Sequence, residues 1–212
     1  MCFRILLAKR RGIKYLSPNF IFFPTLNSSS IVIDVGCGFD ADLSCSLIKR
    51  YKVNAIVVDP TRKHKSNLLG LAKKYGKKFK YLQLALSKNI GKTTFYESLN
   101  NESGACLPDH VNILNDSIRS YSVDSVNLDW LANKIGKSID LLKIDIEGAE
   151  YELLRNVKKA SLIPFKQIFI EFHHHAIESY TYEDTLNVVR KFQNFGYHYF
   201  SIDNHNFLFF RP

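Results

Sequence analysis

Leu141-Leu142-Lys143-Ile144-Asp145-Ile146-Glu147-Gly148-Ala149-Glu150-Tyr151-Glu152-Leu153-Leu154 is an apolar run that delivers carboxylates to its end and then turns. The first half reads as a buried strand and the second as a helix, with Gly148 permitting a sharp turn between them. Side chains alternate along an extended segment, so Asp145 and Glu147 share a face at the strand end, and Glu150 follows on the helix. In open α/β sheets that edge is where ligands bind, which makes this stretch the wall of an active site. The competing reading is a solvated turn whose Glu147 or Glu150 favours the helix N-terminus through the macrodipole.

On the N-terminal side, strands alternate with helical patterns. Ile31–Val35 is a strand entering Gly36-Cys37-Gly38, Ala41–Tyr51 reads as a helix, Ala55–Asp59 as a strand, Lys65–Tyr75 as a basic helix and Phe79–Leu86 as a third strand. This βαβαβ unit predicts a parallel sheet. Residues 90–127 break the rhythm with a short strand near Thr93–Tyr96, a polar loop through Ser103–Asn115 and a strand near Tyr121–Asn127, an insertion suited to an acceptor-binding lid. The alternation resumes with a helix at Asp129–Ile135, strand Ile139–Asp145, helix Glu150–Lys159, strand Gln167–Phe172 and helix Tyr182–Phe195. Two last strands, Tyr197–Ile202 and Asn206–Phe210, flank the tight turn Asp203-Asn204-His205 and form an antiparallel hairpin.

The 212 residues, 46% of them hydrophobic, suffice for one substantial core, and neither a linker nor a repeat divides them. The expected organisation is a basic, apolar extension over residues 1–30 followed by a single domain over 31–212. No apolar run reaches the roughly 18 residues that span a bilayer, and Phe3–Ala8 is short and precedes its basic residues, unlike a secretory signal. A soluble, cytoplasmic protein is expected. Cys2, Cys37, Cys45 and Cys106 form no CxxC pair, so reduced thiols are expected rather than disulfides or a zinc site. The net charge of +9 is uneven: residues 1–80 carry 16 Lys and Arg against 4 Asp and Glu. Arg4, Lys9, Arg10, Arg11 and Lys14 interleave with Ile5, Leu6, Leu7, Ile13 and Tyr15, which suits an amphipathic helix on a membrane surface, on RNA or against an anionic substrate. A merely solvated basic face has the same pattern.

Asp34-Val35-Gly36-Cys37-Gly38-Phe39-Asp40-Ala41 is a glycine-bearing turn between strand and helix, where Gly36 and Gly38 let backbone approach a ligand. It satisfies G-x-G-x-x-G/A, so a nicotinamide dinucleotide fits the loop taken alone. Asp34 would repel a pyrophosphate but suits a ligand carrying an ammonium and a sulfonium, and Asp59, at the end of the next strand, can take both hydroxyls of a ribose. Each also has a purely local role open to it, Asp34 capping its loop and Asp59 turning the chain before Pro60.

Asp34-Val35-Gly36, Asp59-Pro60, Ala85-Leu86-Ser87, Leu128-Asp129, the run Asp140–Leu154 and Glu171-Phe172-His173 together resemble the FkbM family of S-adenosylmethionine-dependent methyltransferases over about residues 31–210. The resemblance implies a class I methyltransferase fold: a Rossmann-like, doubly wound α/β sheet of seven mostly parallel strands, the last one antiparallel. It also implies O-methylation of a sugar, glycan or natural-product hydroxyl with S-adenosylmethionine as cofactor. The family's glycine loop runs roughly Asp-x-Gly-Ala-Asn-x-Gly; here Cys37-Gly38 and Asp40 depart from it, and Asp40 could contact the ammonium of the methionine moiety. Ala85 is expected near the adenine.

Methyl transfer from a sulfonium is an in-line displacement, so positioning dominates and a base should take the hydroxyl proton as the bond forms. His173, at a strand end beside Asp145, is the first choice of base; Asp145 is the second, as base or as orienter of the histidine, and Glu147 and Glu171 complete the polar cluster. Lys143 alternates onto the face of Asp145 and would neutralise part of it. A divalent metal held by these groups is an alternative, but no local spacing specifies one and no residue is assigned as a ligand. Two other functions stay open. One is RNA methylation, which the basic half suggests and the lack of interleaved aromatic and basic residues near the site disfavours; the other is a non-catalytic fold that only binds a partner.

Overall fold

Parallel strands that are apolar at nearly every position must be covered on both faces, and the strands in this chain are. The computed structural model describes residues 8, 10–16, 19–114, 116–136 and 138–211. In chain order the elements are β1 (Lys14–Tyr15), β2 (Ile21–Phe22), β3 (Ile31–Val35), α1 (Asp42–Tyr51), β4 (Asn54–Val58), α2 (Lys65–Tyr75), β5 (Phe79–Leu82), β6 (Ala85–Leu86), β7 (Gly91–Ser98), β8 (Gly104–Ala105), α3 (Val111–Leu114), β9 (Ile118–Val126), α4 (Leu128–Ile135), β10 (Leu141–Ile144), α5 (Glu150–Arg155), α6 (Lys159–Leu162), β11 (Gln167–Glu171), α7 (Tyr182–Asn194), β12 (His198–Ser201) and β13 (Asn206–Phe210).

Seven strands form the main sheet in the order β12-β13-β11-β10-β3-β4-β5. From β11 through β5 every pairing is parallel, whereas β13 runs antiparallel to both β11 and β12, which makes the last strand the odd one, as expected. Alternation sorts the side chains: Ile33, Val35, Leu142, Ile144, Ile168 and Ile170 enter one core with α4, α5 and α7, while Val32, Leu141, Phe169 and Leu208 enter the other with α1. Side-chain caps fix two of the helix starts. Asn127 Oδ1 accepts from Trp130 N at 2.9 Å ahead of α4, and Thr181 and Asp184 form a capping box at α7.

The structure differs from the sequence reading in four places. The third strand is not continuous over Phe79–Leu86: Phe79–Leu82 stays in the main sheet, Leu84 N folds back onto Leu82 O at 3.0 Å, and Ala85–Leu86 joins a separate four-stranded sheet ordered β6-β9-β7-β8. The insertion is therefore ordered structure rather than mostly loop. β7 and β9 pair antiparallel from Gly91↔Ser125 to Ser98↔Ile118 over a small core of Ala85, Phe95, Tyr121 and Val123. The helix expected over Glu150–Lys159 breaks after Arg155, where Asn156 leaves the helical conformation, and resumes as α6. In the expected N-terminal extension, Ile13, Phe20, Ile21, Phe22 and Leu26 are buried in the α1-side core, and Gln167 clamps Phe23 through its backbone N and O at 2.7 and 3.2 Å. Of the amphipathic helix expected from Arg4 to Tyr15, positions 4–7 and 9 lie outside the described residues, Ala8 and Arg10 are helical, and Lys14–Tyr15 are strand. No helix among the described residues is long and apolar enough to cross a membrane.

Candidate active site

β3 and β10 are neighbours in parallel register, Asp34 opposite Lys143, so their C-terminal ends emerge together. Past the last paired residues, Asp145 N donates to Val35 O at 3.1 Å and Gly36 N donates to Val58 O at 2.9 Å. Gly36 sits at φ +70°, and a Cβ there would come within 1.6 Å of Asp145 O. The two strand ends are in backbone contact, and the approach admits only glycine. Lys143 ties the junction together: Nζ donates to Gly36 O at 2.7 Å and lies 2.9 Å from Asp145 Oδ2 and 3.7 Å from Asp34 Oδ1. Burial opposes its charge, yet Asp145 and Asp34 outweigh that and hold its pKa above the ordinary lysine value.

A cavity of about 230 Å³ opens over this junction, with Gly36 and Gly38 at one side, Asp59 and Asp145 along it, and Ala85 and Phe95 as an apolar wall. Asp59 is almost fully buried; Oδ2 accepts from Gly38 N at 3.3 Å and Oδ1 from Thr61 N at 2.8 Å, so one carboxylate ties the glycine loop to the turn after β4. Ala85 lines the cavity from the second sheet rather than from the end of a third main-sheet strand.

Asp34 and Asp40, expected at the cofactor, are not among the residues that line the cavity. The alternation that turns Val35 toward the cavity turns Asp34 away from it, into the α1 interface, where it accepts from Ser44 Oγ at 2.7 Å. Burial raises its carboxyl pKa, and Lys143 counters only part of that rise. Asp40 is exposed and accepts from Asp42 N at 3.2 Å, fastening the start of α1.

At the other end of the crevice the structure brings Asp145, Glu147 and His173 together. His173 Nε2 lies 3.5 Å from Asp145 Oδ1 and 3.7 Å from Glu147 Oε2, and its Nδ1 is 3.1 Å from Glu150 Oε1, which also accepts from Ile146 N at 2.8 Å. Burial disfavours the imidazolium, but Glu150, then Asp145 and Glu147, raise its pKa to about 10. Asp145 is held below the usual carboxylate range because Lys143 and His173 overcome the opposing effect of burial. Glu171, at the end of β11, is pushed up to about 7 by burial and next by the charge of Asp145. The turn that presents these groups is tight: Glu147 has φ +53°, a left-handed conformation costing a non-glycine residue roughly 1–2 kcal/mol.

Residues 37–199 match the family described as Methyltransferase FkbM domain. The chain belongs to this family. Residues 37–199 are therefore a methyltransferase domain of that family, as the resemblance implied. None of the curated proteins compared with it matches significantly. Among solved structures, the Methanococcus jannaschii fibrillarin pre-rRNA processing protein aligns at TM-score 0.52 with 11% identity, covering 98% of this chain and 74% of its own, which supports the fold and nothing narrower. M. capricolum TrmK in complex with S-adenosyl-homocysteine aligns at TM-score 0.43 with 16% identity over 87% of this chain and 62% of its own, so the chain spans less than two thirds of that protein. An O-methyltransferase family protein from Burkholderia thailandensis aligns at 0.44 with 11% identity, covering 86% and 51%.

In this FkbM-domain methyltransferase two residues of the cluster lay outside the predicted site. Glu150 was legible as part of the carboxylate-rich stretch, but its grip on His173 depends on α5 packing behind β11 and leaves no local pattern. His110 comes from the insertion, is buried, and places Nε2 2.7 Å from Glu147 Oε2. A lone histidine in a polar loop carries no spacing signal. Its position follows from contacts with the segment after His173, Val111 N donating to Ala176 O at 2.9 Å.

Proposed function

We propose that the protein is an O-methyltransferase that passes the methyl group of S-adenosylmethionine to a hydroxyl of a sugar, glycan or small natural product. The observation that carries this reading is that Asp145 and Glu147, backed by the buried His173, line a cavity whose other side is a glycine turn and a carboxylate. The groups lining that cavity fit the cofactor: Gly36 and Gly38 give backbone access, Asp59 offers a carboxylate for hydroxyls, and Ala85 with Phe95 makes a flat apolar wall. When bound, S-adenosylmethionine supplies a methyl carbon on a sulfonium, open to in-line attack by the acceptor oxygen.

The chain's own residues hold the acceptor and receive its proton. Asp145 is kept ionised by Lys143, so it is the group that accepts the hydroxyl proton as the new bond forms. His173, charged by the carboxylates around it, serves to fix Asp145 and Glu147 rather than to act as the base, which exchanges the order of preference reached from sequence. Glu171 reports on the charge of the same cluster without a direct bond to it.

The test is calorimetry with S-adenosylmethionine followed by transfer of labelled methyl to a panel of sugars, glycans and phenolic natural products. Saturable binding and label in a hydroxyl-bearing acceptor are expected; no binding heat and no thermal shift would remove the reading. An RNA acceptor is separated by salt, since RNA affinity falls steeply between 50 and 200 mM while binding of a neutral acceptor is nearly constant.

A further inference from the structure

Three segments far apart in the chain send one side chain each to a single point at the acceptor end: His110 from the loop before α3, Glu147 from the turn after β10, and His173 from the end of β11. Nε2 of His110 lies 2.7 Å from Glu147 Oε2, which lies 3.7 Å from Nε2 of His173, and ligand-type atoms of all three lie within 4.8 Å of one another. Ligand atoms bonded to one ion at about 2.0–2.2 Å stand roughly 3–3.6 Å apart, and the observed spacings bracket that range.

Two further observations point to an occupant. His110 is 1% exposed, and its Nε2 makes no hydrogen bond although Glu147 Oε2 is so near, because the oxygen lies off the direction in which the ring nitrogen points. His173 already has its other nitrogen engaged by the wholly buried Glu150 at 3.1 Å, the carboxylate–histidine arrangement that orients the ring; without an ion the ring is charged, and an ion takes the place of the Nε2 proton, which leaves to solvent, so that His173 ligates as the neutral imidazole.

We propose that His110, Glu147 and His173 form a divalent-metal site whose open positions face the acceptor hydroxyl. Two imidazoles and one carboxylate suit an ion of the zinc, manganese or ferrous class better than magnesium, which prefers oxygen ligands. Ligation through His110 Nε2 moves the ring proton to Nδ1 and breaks the 3.2 Å bond that Nδ1 accepts from Asn112 N; Asn112 is exposed, so water replaces it. The role of the ion rests on the methyltransferase reading: on the acceptor oxygen it lowers the pKa of the hydroxyl and holds it toward the cavity, while Asp145 remains free to take the proton.

Metal binding is read without any methyl transfer. Chelator-stripped protein is titrated with Mn²⁺ or Zn²⁺ by calorimetry and the bound ion counted by elemental analysis; one ion per chain is expected, with His110→Ala and Glu147→Gln each weakening it at least tenfold and His175→Ala leaving it unchanged. Cobalt substitution of the wild type gives a second readout, a visible ligand-field band lost in His110→Ala. The proposal is overturned if the wild type retains no ion, or if the ion is bound equally by both ligand variants or depends on His175. Loss of S-adenosylmethionine binding with metal binding intact would sink the functional reading and leave this site standing.

Discussion

At the cofactor end of the crevice the contacts that matter are made by backbone: Gly36 against Asp145 O, Gly36 N on Val58 O, and the amides of Gly38 and Thr61 on Asp59. At the acceptor end they are made by titratable side chains drawn from three segments and set against one another in partial burial. The first arrangement tolerates little change in shape, because a backbone contact at 1.6 Å from a would-be Cβ cannot relax. The second tolerates changes in shape better than changes in charge, since each member is held by the charge of the next. Substitutions should therefore act differently at the two ends, and crossing them tests whether the division is real.

The largest contrast is expected between Asp145→Asn and Asp59→Ala. Asp145→Asn keeps the shape of the wall and removes the proton acceptor, so turnover should fall about 10²–10⁴-fold with cofactor affinity within a fewfold. Asp59→Ala should do the reverse, weakening cofactor binding roughly tenfold to a hundredfold by unpinning two loops, while turnover at saturating cofactor drops little. Cofactor titrations beside steady-state rates decide it, and equal loss of affinity in both variants would mean that the two ends are not separate.

Gly36→Ala sharpens the same division from the structural side. The added methyl meets Asp145 O, and the residue must also hold φ +70°, so a loss of about 3 kcal/mol in unfolding free energy is expected along with loss of cofactor binding. Denaturant melts measure the first and calorimetry the second. A variant as stable as the wild type would show that the strand ends do not meet as described.

The division also tracks what the sequence disclosed. The alternation of strands and helices and the position of Gly36, Gly38 and Asp59 follow from rules of period and backbone freedom that act over a few residues, and the run from Leu141 to Leu154 announces both the strand end and its carboxylates. The side of β3 that Asp34 takes, toward Ser44 rather than the cavity, is set by strand alternation, which the loop pattern alone does not show. Phe79–Leu86 reads as one strand because apolar residues recur from Phe79 to Leu86 with only Lys80 and Gln83 between them; the break at Leu84 comes from competition between two sheets, a tertiary effect. His110 receives no role from the sequence for the same reason: no local spacing ties it to the cluster it joins, and only the packing of the insertion against Ala176 and Ile177 brings it there.

The smallest effect expected concerns how the second sheet is fastened to the cofactor end. Glu97 on β7 is wholly buried and accepts from Arg62 N at 3.0 Å, Tyr121 Oη at 2.6 Å and Arg119 Nη2 at 2.9 Å, which anchors the turn following Asp59 to the insertion. Burial raises its carboxyl pKa, but the donors from Tyr121 and Arg119 prevail and the net shift is downward from the ordinary value of 4.5. A carboxylate with a depressed folded pKa adds stability that is present above its unfolded pKa and is lost as the pH falls through the folded one. Glu97→Gln should therefore cost about 1–2 kcal/mol at pH 7, and the gap between variant and wild type should hold down to about pH 4.5 and narrow below it. Melting midpoints at pH 7, 5 and 3.5 test this. Because Glu97 holds the turn that follows Asp59, affinity for S-adenosylmethionine should weaken slightly while the rate at saturation stays constant, and a gap that persists unchanged to pH 3.5 would show that shape, not charge, holds the two sheets together there.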